Sequence, residues 1–419
     1  MIISPARSTS REAWTLVVGL GVVMSVLFGF TLNAFSIFTL PIIDVFQCSH
    51  EQAARVASVF LVSMTLAMPA AGWLLDHVAP RPVMATGGLL AGLAYLAAAQ
   101  SGDLDSFTLA IALCGIGVGA STYVPAFVLL SNWFRPSRQG LAFGILLAIV
   151  GAGGTFLPMG LNHMVEAIGL LAAMEKGAFI MLLVCFPLLL WLVRMPDQLQ
   201  VASDGESPVT VDRGVREVLR MPQYWLWTAM FVLAMFSALS VLMSLVPYLV
   251  SIGYSAAQGA AAYGAIAAAT IVGSLSFGAI STRRGAGWTL GFGILLCSLG
   301  VVCLLLASHQ TFGFTAVVMF VLAWGTTFNL VNQLSPTLLV EFAGRRGFGS
   351  LLGIGNLVSG LGAALGPMLY GYMVDRTGSH FLPVALCAVL MAVALLPLVM
   401  LRRAQRQVPT AVALEGPGS

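Results

Sequence analysis

The sequence predicts an all-α integral membrane protein whose twelve transmembrane helices form two six-helix bundles. Of its 419 residues, 59% are hydrophobic and only 8% are charged, whereas soluble domains carry about 25% charged residues. A chain with so few charges cannot cover a surface that faces water. Twelve apolar runs are also long enough to cross a bilayer core of ~30 Å, and the basic residues cluster on one side of them.

The twelve predicted spans follow one another with mostly short connections. A helix needs about 20 apolar residues to cross, and the longer runs allow tilt or projection into water. The first run is kept as a span because it is longer than a signal-peptide core and lacks a convincing cleavage site. The predicted ranges are 14–38, 52–75, 82–100, 105–133, 139–161, 177–194, 222–251, 257–281, 286–308, 311–338, 347–374 and 380–401.

The longest connection lies between spans 6 and 7 and divides the chain into two halves. It is polar and contains a short charged helix candidate near Val211–Leu219. The predicted organisation is a cytoplasmic N-terminus at 1–13, a first bundle at 14–194, a cytoplasmic linker at 195–221, a second bundle at 222–402 and a cytoplasmic tail at 403–419.

The placement of arginine and lysine predicts the orientation in the membrane. With the N-terminus in the cytoplasm, sixteen of the nineteen basic residues fall on the cytoplasmic side, and the other side receives only Arg55, Lys176 and Arg376. Cytoplasmic loops are enriched in these residues. We therefore expect a multi-pass protein of the cell membrane, such as a bacterial inner membrane, with both termini in the cytoplasm.

Span 11 has the composition of a moving helix. The basic turn Arg345–Arg346 is followed by a run of about thirty residues without formal charge. This run has a glycine every few positions, contains Pro367 and ends before Asp375. Small residues let helices approach closely, and a proline inside a span marks a kink or hinge. This pattern is typical of a transporter, although a rigid structural span is the alternative for any single helix.

The two halves repeat each other at their cytoplasmic turns. Gly72, Asp76 and Arg81 between spans 2 and 3 correspond to Gly278, Arg283 and Arg284 between spans 8 and 9. In the same way, Asn132–Gly140, with Arg135 and Arg138, corresponds to Glu341–Gly347, with Arg345 and Arg346. Parallel repeats of this kind are found in transporters whose halves rock against each other.

At these residues the chain resembles the major facilitator superfamily. Gly72, Asp76 and Arg81 are similar to that superfamily's loop motif, although His77 and Ala79 depart from it. Four further stretches resemble its monocarboxylate and oxalate–formate transporter branch: Trp14 with Gly29-Phe30 and Ile37-Phe38, Tyr123-Val-Pro125 through Asn132-Trp133-Phe134 to Gly140–Gly144, Val218–Trp225, and Gly366-Pro367 with Gly371 and Asp375–Ser379.

One departure from that branch concerns the substrate. Members that carry small carboxylates usually place an arginine in span 8, where this chain has Ser274 after Gly273. The lysine that oxalate-type members carry in span 11 is also missing. This difference argues against a small, highly charged carboxylate and for a substrate held by hydrogen bonds and aromatic contacts.

The resemblance implies a central cavity lined by spans 1, 4, 7 and 10, with contributions from spans 5, 8 and 11. Asparagines are the most informative polar residues there, because an amide is costly to bury; Tyr123 takes the place of a substrate-contacting tyrosine of the branch. The alternative for every one of these residues is contact between helices or an anchor at the membrane interface. The predicted substrate-binding residues are Asn33, Tyr123, Tyr248, Tyr263, Ser274, Trp324, Asn329, Asn332 and Asn356.

Ion pairs at the cytoplasmic turns are the predicted gate. Asp76 with Arg135 or Arg138, and Glu341 with Arg345 or Arg346, would hold the inside closed and break on opening; ordinary solvated turns are the alternative. The predicted gating and motif residues are Gly72, Asp76, Arg81, Arg135, Arg138, Arg283, Arg284, Arg345, Arg346, Pro367 and Asp375.

These patterns predict a secondary active transporter of a small organic solute, most simply a monocarboxylate-like acid, that works by alternating access. A transporter of a larger amphipathic molecule and a non-transporting membrane sensor are the alternatives. The interior holds no predicted carboxylate, so a coupled proton would need a group at a span end such as Glu51, Asp76, His163 or Asp375; an exchanged anion is the other option. We expect a monomer in the lipid bilayer, with no enzymatic activity, cofactor, metal or nucleic acid.

Overall fold

A computed structural model describes residues 5–195, 213–309 and 312–407, with the side chains of 5–10, 36, 406 and 407 excepted. Within these ranges every regular element is a helix, and twelve helices are long and apolar enough to cross a membrane. This confirms the predicted fold class. Spans 1 to 12 are Arg11–Phe30, His50–His77, Pro80–Ala99, Leu104–Trp133, Pro136–Ile168, Leu170–Leu192, Pro222–Ser251, Ala256–Arg284, Ala286–Ser308, Gly313–Ala343, Phe348–Thr377 and Phe381–Gln405.

Two predicted segments differ in detail or lie partly outside the described residues. Span 1 was predicted as one helix over 14–38, but its first helix ends at Phe30 and a second helix, Phe35–Phe46, follows a short turn. In the linker, 196–212 lie outside the described residues, and the predicted helix near Val211–Leu219 is a single turn at Val215–Val218. Residues 408–419 of the predicted tail also lie outside the described part.

The two six-helix bundles pack their spans in the same way. Span 1 packs on span 5 as span 7 packs on span 11, and span 2 packs on span 4 as span 8 packs on span 10. Spans 3 and 4 likewise correspond to spans 9 and 10. The internal repeat predicted from the turns is therefore present in the packing of the spans.

The bundles meet along two surfaces that are equivalent under this repeat. Span 2 packs against span 11 and span 8 packs against span 5; we name these contacts the 2/11 seam and the 5/8 seam. We use "terminal face" for the side of the protein on which span 1 begins and span 12 ends. At both seams a glycine near the terminal face packs tightly against the other bundle: Gly72 against Gly349 at the 2/11 seam and Gly140 against Ser281 at the 5/8 seam.

Glycine is required where the backbones touch. A Cβ added at Gly72 would overlap the carbonyl group of Gly349, and a Cβ at Gly349 would overlap the carbonyl oxygen of Gly72. At the 5/8 seam, a Cβ at Gly144 would overlap the carbonyl oxygen of Ser274. Small residues at helix interfaces permit this distance between backbones, and both seams are therefore closed near the terminal face.

Candidate functional site

The interruptions of spans 1, 4 and 10 form the centre of the candidate site. Span 1 breaks between Phe30 and Phe35, span 4 at Thr122, and span 10 between Thr327 and Leu330. The second helix of span 4 has 11 residues and that of span 10 has 14 residues, so each begins roughly 16 to 21 Å from the terminal face. Both breaks thus lie near the middle of the membrane.

Local chemistry accounts for the interruptions. At each break a hydroxyl donates to the carbonyl one turn earlier: Thr31 to Leu27, Thr122 to Val118 and Thr327 to Ala323. Such bonds compete with the helix ladder and bend helices. In span 4, Pro125 in addition has no N–H for the carbonyl of Ser121. These hydroxyls are therefore bonded to their own helices.

Tyr123 lies directly after the break in span 4. Its ring centroid is 5.3 Å from that of Phe28 in span 1 and 6.0 Å from that of Phe127. The side chain is half-buried, and its hydroxyl makes no hydrogen bond to a residue of the described ranges. A phenol in this position is able to donate a hydrogen bond to a solute that enters between spans 1 and 4.

Asn329 and Asn332 lie together at the break in span 10. The amide of Asn332 donates to the side-chain oxygen of Asn329 at 3.0 Å, and both side chains are half-buried. The predicted placement on one helix face is therefore present. The pair begins the helix Leu330–Ala343, whose positive dipole end points away from the terminal face, towards the middle of the membrane.

Three other predicted substrate residues are partly accessible. Asn33 is in the break of span 1, half-buried and close to Gly154 of span 5. Asn356 donates to the carbonyl of Leu352, one turn earlier in span 11. Tyr263 is 41% exposed in the half of span 8 remote from the terminal face.

The structure places the remaining three in helix packing. The hydroxyl of Tyr248 donates to the carbonyl of Leu304 in span 9 at 3.0 Å. Trp324 is fully buried, stacks on Phe328 with 4.6 Å between centroids, and packs on Gly300 of span 9. Ser274 is buried in the 5/8 seam. Within the described residues, none of these three side chains makes a hydrogen bond or ring contact with Tyr123 or the asparagine pair.

At the 2/11 seam, Asp76 has a different partner from the one predicted. Its carboxylate accepts hydrogen bonds from the backbone N–H of Gly349 at 3.0 Å and of Ser350 at 2.9 Å, and from the Ser350 hydroxyl. Gly349 and Ser350 are in the first turn of span 11. The negative side chain thus binds the positive end of a helix from the other bundle, and no ion pair with Arg138 is present among the described residues.

The other predicted gating residues, apart from Pro367, lie in or near the turns at the two faces. Arg284 lies over the ring of Trp288 at 5.4 Å, and the predicted ion pair of Glu341 with Arg346 is not present among the described residues. Pro367 lies inside the long helix of span 11, half-buried. The exposed side chains are Arg81, Arg135, Arg138, Arg283, Arg346 and Asp375, and Arg345 is half-buried.

Two residues with clear contacts were not among the predicted site residues. Gln333 in span 10 is fully buried and donates to the carbonyls of Gly140 and Ser274. Arg213 in the linker donates to the carbonyl of Phe342 at the end of span 10. The negative end of the helix dipole favours a cation at this position. The available signal for Gln333 was its position directly after Asn332 among the polar residues of span 10, and the sequence does not indicate its partners.

The described part of the chain contains no candidate metal centre, and its most clearly defined cavity lies outside the predicted site. Among the described residues, no group of three or more His, Cys, Asp or Glu side chains could hold a metal ion. A separate cavity of about 310 Å³ lies between spans 7, 8 and 10 and is lined mainly by apolar residues such as Leu249, Ala262 and Val317. It contains none of the predicted substrate residues.

Comparison with known proteins assigns the family. The family model described as Major Facilitator Superfamily matches residues 20–367. Bos taurus monocarboxylate transporter 13 is 26% identical over 380 residues, which cover 88% of this chain and 84% of the relative. The oxalate:formate antiporter of Oxalobacter formigenes is 31% identical over 210 residues, which cover 48% of each chain.

Solved structures show the same fold. The transporter FucP in its outward conformation gives a TM-score of 0.74 at 15% identity, with 93% of this chain and 98% of FucP covered. A bacterial homologue of the iron transporter ferroportin, in an outward-facing state, gives a TM-score of 0.71 at 16% identity, with coverage of 93% and 99%. With twelve spans, a repeated bundle and a family model that matches most of its length, the chain belongs to the major facilitator superfamily and is a multi-pass membrane transporter, not an enzyme.

Proposed function

We propose that this protein is a secondary active transporter that moves a small monocarboxylate-like acid by alternating access. The substrate binds at the interruptions of spans 1, 4 and 10, against Tyr123, Asn329 and Asn332. The terminal face is the cytoplasmic side of a bacterial inner membrane, and the protein works as a monomer. A coupled proton or an exchanged anion drives the cycle.

The observation that carries this proposal is the pair of half-helix N-termini in spans 4 and 10. The helices Tyr123–Trp133 and Leu330–Ala343 begin near the middle of the membrane, and the two helices contact each other across the bundle boundary. Each N-terminus carries a partial charge of roughly +0.5. In broken transporter helices these positive ends are found to face the anionic groups of substrates.

This arrangement suits one negative charge better than two. Ser274 takes the place of the arginine expected from the branch resemblance, so no fixed cation is available from span 8. The two helix N-termini supply partial positive charge. The Tyr123 hydroxyl and the Asn332 amide supply hydrogen-bond donors, and together these groups suit a single carboxylate. The relatives named as monocarboxylate transporter and oxalate:formate antiporter agree with an organic acid as the substrate.

The closed seams support the alternating-access part of the proposal. Both seams bring backbones into contact near the terminal face, and the candidate site lies beyond them. With the terminal face in the cytoplasm, this conformation is closed to the inside. Transport then requires both seams to open, while the site keeps its solute between the bundles.

The test is a thermal-shift titration of the detergent-purified protein with lactate-sized monocarboxylates, dicarboxylates and bulkier amphipathic compounds. A ligand that binds only the folded state raises the Tm in a concentration-dependent way. We expect a shift with monocarboxylates. Loss of one hydrogen bond in Tyr123→Phe is expected to weaken the apparent affinity about five- to tenfold.

Tyr248→Phe is the matched control, because its hydroxyl donates to Leu304 rather than to the site. It is expected to lower the Tm without ligand and to leave the affinity unchanged. Equal affinities in the Tyr123→Phe variant and the unchanged protein would contradict the site. No shift with any monocarboxylate would contradict the substrate class.

A larger amphipathic molecule is the second candidate substrate. The aromatic contacts of Tyr123 with Phe28 and Phe127 favour it, because flat apolar solutes stack on such rings. A Tm shift with bulky compounds, combined with no Tm shift from lactate-sized acids, would favour this substrate over the acid.

A further inference from the structure

We infer that Gln333 is an uncharged latch that holds the 5/8 seam closed and couples this seam to the Asn329–Asn332 pair. The inference rests on the alternating-access part of the proposed function, and it does not depend on the identity of the substrate. One buried amide would thus hold the inside closed, a role that the sequence predicted for ion pairs at the cytoplasmic turns.

The side-chain amide of Gln333 joins three spans from both bundles. Its Nε2 donates to the carbonyl oxygen of Gly140 in span 5 at 2.8 Å and to that of Ser274 in span 8 at 3.0 Å. Gln333 itself belongs to span 10 and is fully buried. Since span 5 is in the first bundle, the bond to Gly140 cannot survive when the seam opens.

Glycines make these two carbonyls accessible. A helix carbonyl that already accepts from the N–H four residues later keeps a second lone pair, but the side chain of that later residue usually covers it. Here the residue four positions after Gly140 is Gly144, and the residue four positions after Ser274 is Gly278. A Cβ added at Gly144 or Gly278 would lie 2.6 or 3.0 Å from Nε2 of Gln333.

The latch is strong enough to hold the seam and weak enough to release it. Both N–H groups of the amide are bonded, but its oxygen Oε1 is buried without a hydrogen-bond partner in the described part of the chain. An unpaired buried acceptor opposes the buried state. Opening the seam breaks the bond to Gly140 but lets water reach Oε1, and the two effects partly offset each other.

The same helix connects the latch to the candidate site. Gln333 is the fourth residue of Leu330–Ala343, and its backbone N–H donates to the carbonyl of Asn329 at 3.2 Å. Asn332 precedes it directly. A solute that displaces the asparagine pair therefore moves the first turn of this helix, and with it the amide that closes the 5/8 seam.

The chain contains a matched control for this latch. Gln139 is also fully buried, donates through Nε2 to two carbonyls, those of Ser131 and Phe134, and leaves its Oε1 unpaired. Both of its partners belong to the first bundle, near the turn between spans 4 and 5. Removing the Gln139 amide therefore breaks the same kind of hydrogen bonds but breaks none between the bundles.

The experiment measures the distance across the terminal face with spin labels on encoded unnatural amino acids at Ser137 and Arg403. Both positions are exposed and lie at terminal-face ends of spans 5 and 12. We compare the unchanged protein in nanodiscs with Gln333→Met and Gln139→Met. Gln333→Met is expected to raise the ratio of wide to narrow distances about fivefold, since the one hydrogen bond between the bundles, to Gly140, is lost, whereas Gln139→Met keeps the original ratio.

A narrow distribution in Gln333→Met, or an equal widening in both variants, would overturn the latch. If Gln333→Met does not fold, Gln333→Leu serves instead, because it has no hydrogen-bond donor and is expected to widen the distribution in the same way. No substrate is added, so widening in a protein that binds no monocarboxylate would retain the latch and reject the substrate proposal.

Discussion

The 2/11 seam and the 5/8 seam occupy equivalent places in the internal repeat but close by different chemistry. At the 2/11 seam, the charged Asp76 binds the N-terminus of span 11 through Gly349 and Ser350. At the 5/8 seam, the neutral Gln333 donates to two backbone carbonyls. Both seams use glycines at the closest backbone approach.

The two halves of this chain therefore share the close backbone packing at the seams but not the polar groups that hold the seams closed. Helix packing requires a small residue wherever two backbones touch, and both copies of the repeat supply it. The polar closure has only to be breakable, and either a carboxylate on a helix dipole or an amide on carbonyls meets that condition. The position that corresponds to Asp76 in the second half is Thr282, whose hydroxyl bonds within its own helix.

The largest expected effect comes from adding a side chain where backbones touch. In Gly72→Ala the new Cβ would overlap the carbonyl of Gly349, and a backbone cannot move aside like a flexible side chain. Overpacking of this kind costs about 1–3 kcal/mol, so we expect the population of the closed state relative to the open state to fall about 5- to 150-fold. The spin-label distance across the terminal face and uptake into proteoliposomes measure this.

Gly264→Ala provides the control, because no atom lies within 4 Å of the added Cβ in span 8. It is expected to keep the distance distribution and the uptake rate of the unchanged protein. A Gly72→Ala protein with both properties unchanged would mean that the 2/11 seam is not closed by contact between backbones.

Removing the charge of Asp76 is expected to have the next largest effect. Asp76→Asn keeps one acceptor oxygen for Gly349 or Ser350 but loses the charge that the helix N-terminus favours. We expect the closed state to lose about 1–2 kcal/mol of stability relative to the open state. This corresponds to a five- to thirtyfold rise in the ratio of wide to narrow distances. Asp105→Asn, which alters an exposed carboxylate 3.7 Å from Arg55, is expected to change nothing; an equal response of both variants would reject a specific role for Asp76.

The smallest expected effect is the loss of one hydroxyl at the same contact. Ser350→Ala keeps the two backbone donors to Asp76 and removes only the side-chain bond. About 0.5–1 kcal/mol is expected, or a two- to fivefold rise in wide distances. Ser359→Ala, which removes a bond within span 11, should leave the distances unchanged, and a larger effect there than at Ser350 would contradict the ranking.

Composition and periodicity were sufficient for the fold because burial in lipid constrains the whole chain. Long uncharged runs must be helices, since the backbone has no other way to satisfy its polar groups. The break in span 1 was missed for the opposite reason. It depends on local bonds such as Thr31 to Leu27, and a threonine in an apolar run is equally compatible with a straight helix.

The site was predicted only in part, because a sequence does not say which way a helix faces. Asn329 and Asn332 share a face by their spacing, and they are bonded to each other. Tyr248 looked equally suitable, but its hydroxyl reaches span 9. The gate was predicted from opposite charges, whereas Asp76 and Gln333 both bind backbone groups, which carry no signal in the sequence.

A distance measurement on the double variant tests the central claim most directly. The claim is that both seams act on one equilibrium between a closed and an open terminal face. Spin labels at Ser137 and Arg403 would be compared in Asp76→Asn, Gln333→Met and the combined variant. If both seams act on one equilibrium, the two ratios of wide to narrow distances multiply in the combined variant. A combined variant no wider than either single variant, or a single variant without effect, would contradict it.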